Sequence, residues 1–513
     1  MLKKNQAKQK QPLDESTLKF NRRQFLKIGS AGAALGAINA IEVPKKALAS
    51  SVAKNMDKAI IKEMDNFPNE IRNDYQPPRN YDTVFGSAFF GAALQAAGKP
   101  VDKEMMKHGR SFLQKINYEF DNSTKSHDQL GKALTGGAWS LSNRCVGPSP
   151  GAISDFGLMN WAQPQDKPPY ALMDHNFVQK EKYQFKSKQE AALAIKRAAR
   201  LYGADLVGIA RRDKKWDYRE FLNMVPPMGR EMFPPPPDPQ NLPQIIEMMK
   251  SWGPDKFFHG WEQFPFEPKT VIVLAFEMDY EGISASPSEI GAAAVGAGYS
   301  QMAKVSYQMS VFLKQLGYHA VACGNDTGLS IPYAIAAGLG EGSRAGFLVT
   351  FNHGPRVRIA KVYTDLEFVD YDKPKTFGVM DFCKNCKRCA DACPSKAISF
   401  DDEPSFEPTH DAKDNAYFNA RGVKKYYSDH RKCFQFWDKN GTDCANCIAA
   451  CPYNKPDFWH HRLVRKMGLV PSAGVHDVLR EADILFGYGN TFDDKAIDKF
   501  WSPKGRQYAG HDA

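Results

Sequence analysis

The chain has 513 residues, of which 42% are hydrophobic and 12% are aromatic. This composition supplies a hydrophobic core and excludes a disordered chain, a collagen-like fibre and a coiled coil. The net charge of +10 lies mostly in residues 1–49, which contain ten Lys and Arg but three Asp and Glu. The rest of the chain has 58 Lys and Arg and 55 Asp and Glu, a net charge of +3. Such a body does not indicate nucleic-acid binding. The absence of any run of 18 apolar residues also excludes an integral membrane protein.

The N-terminus has the three parts of an export signal. Arg22 and Arg23 stand before the Ala/Gly-rich apolar stretch 28–43, and Ala47-Leu48-Ala49 offers small residues to a signal peptidase. The paired arginines followed by Phe25 and Leu26 predict a twin-arginine signal that is cleaved after Ala49. An ordinary amphipathic helix is the alternative. Because the twin-arginine route carries folded proteins, we expect cofactors to be inserted in the cytoplasm.

The middle of the chain alternates between helical and strand patterns. A capping box at Ser187 and Glu190 begins a helix that ends at Gly203. Further predicted elements are strands over Asp205–Ala210 and Val271–Phe276, a helix over Glu289–Leu316, a strand over His319–Cys323, a helix over Ile331–Ala337, and a hairpin of Phe347–Phe351 with Val357–Tyr363. This alternation over residues 187–370 predicts one α/β or α+β domain.

Patterns outside this domain are weaker. Helices are predicted over Lys54–Asn66 and Asp102–Ile116, and the Gly/Ser-rich stretch Leu134–Ser142 predicts a loop. The proline-rich stretch 233–243 predicts an extended surface loop.

Eight of the ten cysteines lie between residues 383 and 451, in two sets with related spacing. The sets are Cys383-x2-Cys386-x2-Cys389-x3-Cys393-Pro394 and Cys433-x10-Cys444-x2-Cys447-x3-Cys451-Pro452. The first has the spacing of the bacterial ferredoxin motif for a [4Fe–4S] cluster, in which the fourth Cys binds the other cluster. The second set repeats the end of that motif.

This spacing predicts two [4Fe–4S] clusters that exchange their fourth ligands. The predicted ligands are Cys383, Cys386, Cys389 and Cys451 for the first cluster, and Cys433, Cys444, Cys447 and Cys393 for the second. Four disulfides or two zinc sites are the alternatives for an exported protein, and the doubled motif fits neither well. Cys145 and Cys323 are predicted to be buried free thiols.

Short motifs before the clusters occur in a characteristic order. They are the twin-arginine leader, GADLVGIA at Gly203–Ala210, Gly298-Tyr299-Ser300, AGLG at Ala337–Gly340, GPRVR at Gly354–Arg358 and FGV at Phe377–Val379. Together with both cysteine sets, they resemble the corrinoid-dependent reductive dehalogenases, the catalytic subunits of organohalide respiration. Each motif before the clusters is weak alone, but the resemblance covers nearly the whole chain.

The resemblance implies a nitroreductase-like α/β (α+β) core that binds a base-off cobalamin, followed by a ferredoxin-like domain with two [4Fe–4S] clusters. The implied division is a signal peptide over 1–49, an N-terminal region over 50–185 that covers the corrinoid and substrate pocket, a cobalamin-binding domain over 186–372, a ferredoxin-like domain over 373–458 and a tail over 459–513. The twelve histidines include no Asp-x-His-x-x-Gly motif, which agrees with a corrinoid that has no protein ligand on its lower face.

The resemblance also implies the site residues. Tyr299 matches the family's proton donor, with Arg358 and Asn325 as its neighbours. The loop at Asn325 reads Gly-Asn-Asp-Thr-Gly, whereas some members have Cys-Asn-Gly. Trp437 matches an aromatic residue of the substrate pocket that follows the first Cys of the second set.

Residue chemistry is compatible with these roles but leaves alternatives. A phenol with a pKa of about 10 donates a proton at neutral pH, and a nearby Arg stabilises the phenolate. Tyr299 lies six residues before Val305 and so away from the core stripe of its helix, and Gly296 and Gly298 leave room for a large flat ligand. The alternatives are that Tyr299 is a structural residue and that Arg358 makes a surface ion pair. Arg356 would lie on the same strand face as Arg358 and could take the predicted role in its place.

Three functions follow. The first is the terminal reductase of anaerobic organohalide respiration. It would replace the halogen of a small organohalide, expected to be chlorine, by hydrogen. A Co(I) corrinoid, reduced through the two clusters, would carry out this reaction. The second is an epoxyqueuosine reductase type, which acts on tRNA in the cytoplasm; the leader and the weakly charged body disfavour it. The third is a non-catalytic, exported two-cluster electron carrier, which would contain no corrinoid.

The first function implies particular partners and a location. We expect a peripheral protein on the outer face of the cytoplasmic membrane, held by a small integral-membrane anchor subunit. Its electron donor would come from the respiratory chain, and no nucleic acid would bind.

Overall fold

The computed structural model describes residues 61–145, 178–222, 251, 258–259, 266–325, 327–409, 418–455, 473–485 and 487–502. The helices are α1 (Val84–Ala96), α2 (Lys103–Tyr118), α3 (Gln129–Cys145), α4 (Lys188–Tyr202), α5 (Tyr280–Ser284), α6 (Glu289–Gln315), α7 (Ser330–Ala336), α8 (Val379–Cys386), α9 (Arg388–Ala392), α10 (His430–Asn440), α11 (Asn446–Ala449), α12 (Ala473–Leu485) and α13 (Asp494–Phe500). The strands are β1 (Lys62–Glu63), β2 (Leu206–Arg211), β3 (Phe221–Leu222), β4 (Phe258–His259), β5 (Thr270–Glu277), β6 (Ala320–Cys323), β7 (Gly340–Gly342), β8 (Leu348–Thr350), β9 (Val357–Thr364) and β10 (Lys375–Thr376). The predicted export signal and the proline-rich stretch 233–243 lie outside the described residues.

A four-stranded antiparallel sheet in the order β2-β5-β9-β6 forms the centre of the fold. Side chains of β5 alternate between its faces, so Ile272 and Leu274 join a core with α4 and α6, whereas Val271 and Val273 join a core with α7. Because helices cover both faces, β5 is buried along almost its whole length. The antiparallel pairing makes this an α+β core, one of the two predicted classes.

Helix α6 is the longest described helix and crosses one face of this sheet. Its predicted core stripe is confirmed, since Val305 and Met309 are fully buried and Phe312 and Leu316 pack partly buried against the same core. The caps of α4 are confirmed as well. The Ser187 hydroxyl accepts the Glu190 amide hydrogen bond at 3.1 Å, and Gly203 ends the helix at a φ of +114°.

Three local predictions are wrong. Residues Leu134–Ser142 are helical rather than a loop, because α3 packs along α6 and this tertiary contact outweighs the low helix propensity of its glycines. The predicted hairpin does not form: β8 pairs with β7, whereas β9 pairs with β5 and β6, where it gains two neighbours for a buried strand. Lys62–Glu63 pairs with β10 and is therefore strand, not helix.

The cysteine region lies beside this core as a group of short helices. Helices α8, α9, α10 and α11 carry or flank the cysteines, and α12 packs against α8. None of the helices in the described ranges is both long enough and apolar enough to cross a membrane.

Candidate functional site

The structure brings together the three residues of the predicted catalytic group. Tyr299 lies on α6, Asn325 follows β6, and Arg358 lies on β9. The Asn325 side-chain amide donates a hydrogen bond to the Tyr299 hydroxyl at 2.8 Å. The Arg358 guanidinium lies over the Tyr299 ring, with its central carbon 5.0 Å from the ring centroid. This arrangement follows from the pairing of β6 with β9 and from the packing of α6 across the sheet.

Arg356 is not available to Tyr299. It is buried, and its guanidinium binds the Glu277 carboxylate at 2.5 Å and the Asn454 side-chain oxygen at 2.9 Å. Burial raises the pKa of Glu277, but the hydrogen bond from His353 and the charge of Arg356 outweigh it and hold that pKa at about 2. Arg356 therefore links the sheet to the cysteine region, which leaves Arg358 as the arginine beside Tyr299.

Trp139 is a neighbour of Tyr299 that the sequence analysis did not identify. The two rings stack with centroids 4.9 Å apart and an angle of 25° between planes, and the indole N–H donates to the Ala292 carbonyl at 3.1 Å. A side chain at Gly296 would collide with Trp139, and a Cβ at Gly298 would lie 2.8 Å from Arg358 Cγ. These glycines thus make room for Trp139 and Arg358, which corrects the expectation that they leave open space. No sequence motif marks Trp139, because its position depends on the packing of α3 against α6.

Trp437 lies in a separate aromatic cluster between α1, α2 and α10. Its ring centroid is 5.5 Å from that of Phe85 and 6.1 Å from that of Phe112. The described aromatic contacts of Trp437 are with phenylalanines and do not include Tyr299. Its role in the substrate pocket stays a prediction.

Several buried polar atoms near Arg358 have no hydrogen-bond partner among the described residues. They are the Nε of Arg358, one carboxylate oxygen of Asp443, and both amide atoms of Asn446, whose side chain is fully buried. Burial raises the pKa of Asp443 to about 7, although the charge of Arg358 lowers it. Native proteins rarely leave such groups unpaired, so this group indicates a place for a polar ligand.

The first cysteine set surrounds a cavity. Its lining includes Cys383, Cys386, Cys389 and Cys451, the four residues predicted to share the first cluster, and also Cys447 of the second predicted ligand set. Burial raises the pKa of Cys383 to about 11 and that of Cys386 to about 12. These thiols therefore stay protonated until a metal displaces their protons.

The second cysteine set lies next to the catalytic group. Cys393, Cys433 and Cys447 pack in one hydrophobic cluster, which Cys389 of the first predicted ligand set also joins. Burial and neighbouring thiols raise the pKa of Cys433 and that of Cys444. Cys447 also packs against the cluster that holds Tyr299, and the charge of Arg358 acts to lower its pKa, which burial raises to about 12. The second set is thus the one nearer to Tyr299.

The cysteines of both sets are free, and no three His, Cys, Asp or Glu side chains of the described ranges converge on a single metal ion. A cubane differs from such a site because each thiolate binds a different iron. Cys323 is buried, as predicted, while the Cys145 side chain lies outside the described residues.

Comparison with known proteins defines the class. Residues 382–455 match the 4Fe-4S dicluster domain family. The chain is 36% identical to the tetrachloroethene reductive dehalogenase of Dehalobacter restrictus and 35% identical to that of Desulfitobacterium hafniense, each over 91% of this chain and 94% of the relative. A solved reductive dehalogenase, whose structure suggests a mechanism for B12-dependent dehalogenation, matches 89% of this chain with a TM-score of 0.56 at 19% identity. The match covers 53% of the solved chain, so the present chain spans about half the length of that protein. At 19% identity, this similarity shows a shared fold.

These findings describe an oxidoreductase with a mixed α/β core and a C-terminal 4Fe-4S dicluster domain. The chain belongs to the reductive dehalogenases, which act on carbon–halogen bonds. The epoxyqueuosine reductase alternative is less supported, since the enzyme of Lactococcus garvieae is 30% identical over 25% of this chain.

Proposed function

We propose that this reductive dehalogenase removes chlorine from a chlorinated ethene, with a base-off corrinoid beside Tyr299 and two [4Fe–4S] clusters on its eight clustered cysteines. The convergence of Tyr299, Asn325 and Arg358 next to the second cysteine set carries this proposal. One site would thus combine a proton donor, the two side chains that stabilise its anion, and a nearby cluster that delivers electrons.

The residues present fit both cofactors. A corrinoid carries many amide side chains, and the unpaired polar atoms of Arg358, Asp443 and Asn446 can hydrogen-bond to such groups. Four of the five cysteines that line the first cavity, all except Cys447, form the predicted ligand set of one cubane. When bound and reduced, the corrinoid would supply the strongly nucleophilic metal centre that cleavage of a carbon–halogen bond needs.

The residues of the chain then manage the proton. Because the Asn325 amide donates to the Tyr299 oxygen, the phenolic hydrogen is free to point towards a substrate carbon. When Tyr299 gives up this proton, the same amide and the Arg358 guanidinium stabilise the phenolate. Trp139 stacks on the ring and restricts its orientation. Asn325 is exposed, so the phenolate can regain a proton from the solvent side.

The substrate class is inferred from the relatives. Those that match 91% of this chain are tetrachloroethene reductive dehalogenases. We expect reconstituted protein under anaerobic conditions to dechlorinate tetrachloroethene faster than a chloroalkane or a chlorophenol. Halide release is the measurement, and protein without corrinoid is the control. Faster release from a chlorophenol would contradict the chloroethene assignment.

Cofactor content separates this proposal from a simple electron carrier. Two cubanes and one corrinoid give about eight irons and about one cobalt per chain, measured by elemental analysis of purified protein. Full iron without cobalt would refute the corrinoid and favour the carrier.

The location and the partners are also proposed. The paired arginines support export, and an anchor subunit would hold the enzyme at the outer face of the cytoplasmic membrane, where a respiratory-chain donor supplies electrons. Changing Arg22 and Arg23 to Lys should leave uncleaved, active precursor in the cytoplasm. Mature protein that remains firmly in the membrane when expressed alone would contradict the separate anchor.

A further inference from the structure

Arg344 is a fully buried arginine that binds the backbone around the first cysteine set. Its guanidinium donates to the Cys383 carbonyl at 3.0 and 2.8 Å, to the Ser399 carbonyl at 2.9 Å and to the Asp401 carbonyl at 2.6 Å. Its central carbon lies 4.0 Å from the centroid of the Tyr426 ring. It is also 1% exposed and lines the same cavity as the four cysteines.

These contacts hold the guanidinium with neutral groups. None of the ion pairs between described side chains involves Arg344, so backbone carbonyls and an aromatic face solvate its charge. Lys455, another buried cation of this region, differs because Asp483 pairs with it at 2.6 Å. Two charged side chains act on the Cys383 thiol, those of Arg344 and Glu341. The Glu341 carboxylate accepts hydrogen bonds from the backbone amides of Phe377 and Val379. The ion pair with Lys387 lowers the pKa of the exposed Asp402 carboxyl, and the Arg344 charge also helps to lower it. Arg344 therefore places a buried positive charge, with no directly paired carboxylate among the described residues, beside the first cysteine set.

We propose that Arg344 is a positioning residue that raises the reduction potential of the first cluster; this rests on the proposed function, which places a [4Fe–4S] cluster on Cys383, Cys386, Cys389 and Cys451. Reduction adds one negative charge to a cluster that four thiolates already make anionic. A buried cation stabilises the reduced state more than the oxidised state, and the low local dielectric strengthens this difference. Hydrogen bonding and charge near the cluster are recognised determinants of cluster potentials.

The consequence is an order in which the two clusters are reduced. The first set lies farther from Tyr299 than the second, because Cys447 packs against the Tyr299 cluster. A first cluster with a raised potential accepts electrons readily from an external donor. It thereby fills before the second cluster, which faces the catalytic group.

The test is a redox titration of reconstituted protein, monitored by electron paramagnetic resonance. The variants are Arg344→Gln, which removes the charge, and Arg344→Lys, which keeps it. Lys384→Gln is the matched control, because Lys384 follows Cys383 directly but is partly exposed and pairs with Glu403 at 3.0 Å. A Cys386→Ala variant, which loses the first cluster, identifies its step in the titration.

We expect Arg344→Gln to lower the reduction equilibrium constant of the first cluster about tenfold, which is about 59 mV for one electron. Arg344→Lys should retain most of the wild-type potential, Lys384→Gln should change it little, and the second cluster should not shift. Equal potentials in Arg344→Gln and wild type, or an equal shift in Lys384→Gln, would overturn the proposal. Loss of the first cluster from both Arg344 variants would also overturn the proposal, because it would show that Arg344 is needed for folding of the cluster site. Wild-type protein that binds no iron would instead refute the proposed function.

Discussion

Tyr299 has one neutral and one charged polar neighbour. Asn325 fixes the oxygen through a hydrogen bond, while Arg358 contacts the ring face rather than the oxygen. Under the proposed mechanism, Asn325 would set the direction of the O–H, and Arg358 would supply charge that matters most after the proton has left. The two residues should therefore fail in different ways when changed.

Tyr299→Phe removes one hydroxyl and keeps the ring that stacks on Trp139. Because general-acid help is typically worth ~10²–10⁴-fold, we expect kcat to fall by about that factor while iron and cobalt contents stay normal. Tyr202→Phe, at the end of α4 and outside the predicted catalytic group, is the control for loss of a phenolic hydroxyl. A near-normal rate at full cobalt occupancy would show that another group delivers the proton.

Arg358→Leu should lower kcat because the phenolate loses its counter-charge, with Arg358→Lys intermediate. Loss of one such electrostatic group typically costs about 10²–10³-fold in kcat. Arg356→Gln gives the contrast. It breaks a buried link between Glu277 and Asn454 and should lower the thermal unfolding midpoint more than Arg358→Leu does. The opposite order would reverse the roles assigned to the two arginines.

The segment between β6 and α7 carries Asn325 and is fixed at several points. The Lys361 ammonium, fully buried on β9, donates to the Gly324 carbonyl and to the Ser330 hydroxyl, the latter at 2.7 Å. The Thr327 carbonyl accepts from the Tyr218 amide at 3.0 Å, and Thr327 has a φ of +69°. Such a conformation persists because the surrounding contacts determine it.

Lys361→Met should release this segment and misplace Asn325. We expect kcat to fall by about 10- to 100-fold, the effect of a displacement of about 1 Å in a catalytic group. Lys314→Met is a matched control, because Lys314 is equally buried but lies on α6 near its end. Equal losses of activity in both variants would show that the effect is one of general stability.

The cap of α4 makes a purely structural prediction. Ser187→Ala removes the hydroxyl that accepts the Glu190 amide hydrogen bond. The free energy of unfolding should fall by about 0.5–2 kcal/mol, measured by chemical denaturation, with the same kcat at low temperature. Because α4 contributes no residue to the predicted catalytic group, an effect on catalysis would indicate coupling through the core that α4 shares with α6.

Local signals predicted some elements well and others poorly. The bounds of α4 and α6 followed from caps and apolar spacing, which act within a few residues. The partner of β9 could not be predicted, because strand pairing depends on contacts between distant parts of the chain. For the same reason residue chemistry alone did not identify Arg358 or Asn325, which the family resemblance supplied, and no signal marked Trp139.

At the scale of the whole molecule, the exchange of the fourth cysteine can be tested. Cys451 belongs to the second sequence set but lines the cavity of the first. Cys451→Ala should reduce iron from about eight to about four per chain and leave the same surviving spectrum as Cys386→Ala. Cys433→Ala should remove the other signal. A Cys451→Ala spectrum that resembles Cys433→Ala would contradict the exchange.

This exchange also determines when the cofactors can be inserted. With the proposed ligands, a growing chain that ends before Cys433 contains no complete ligand set, so neither cluster can form during most of synthesis. Once Cys451 has been made, each cluster joins both cysteine sets and closes a long loop, which restricts the unfolded chain. Insertion of both clusters therefore waits for synthesis of the whole cysteine region. If the proposed twin-arginine route carries the chain, a folded cysteine region would precede export.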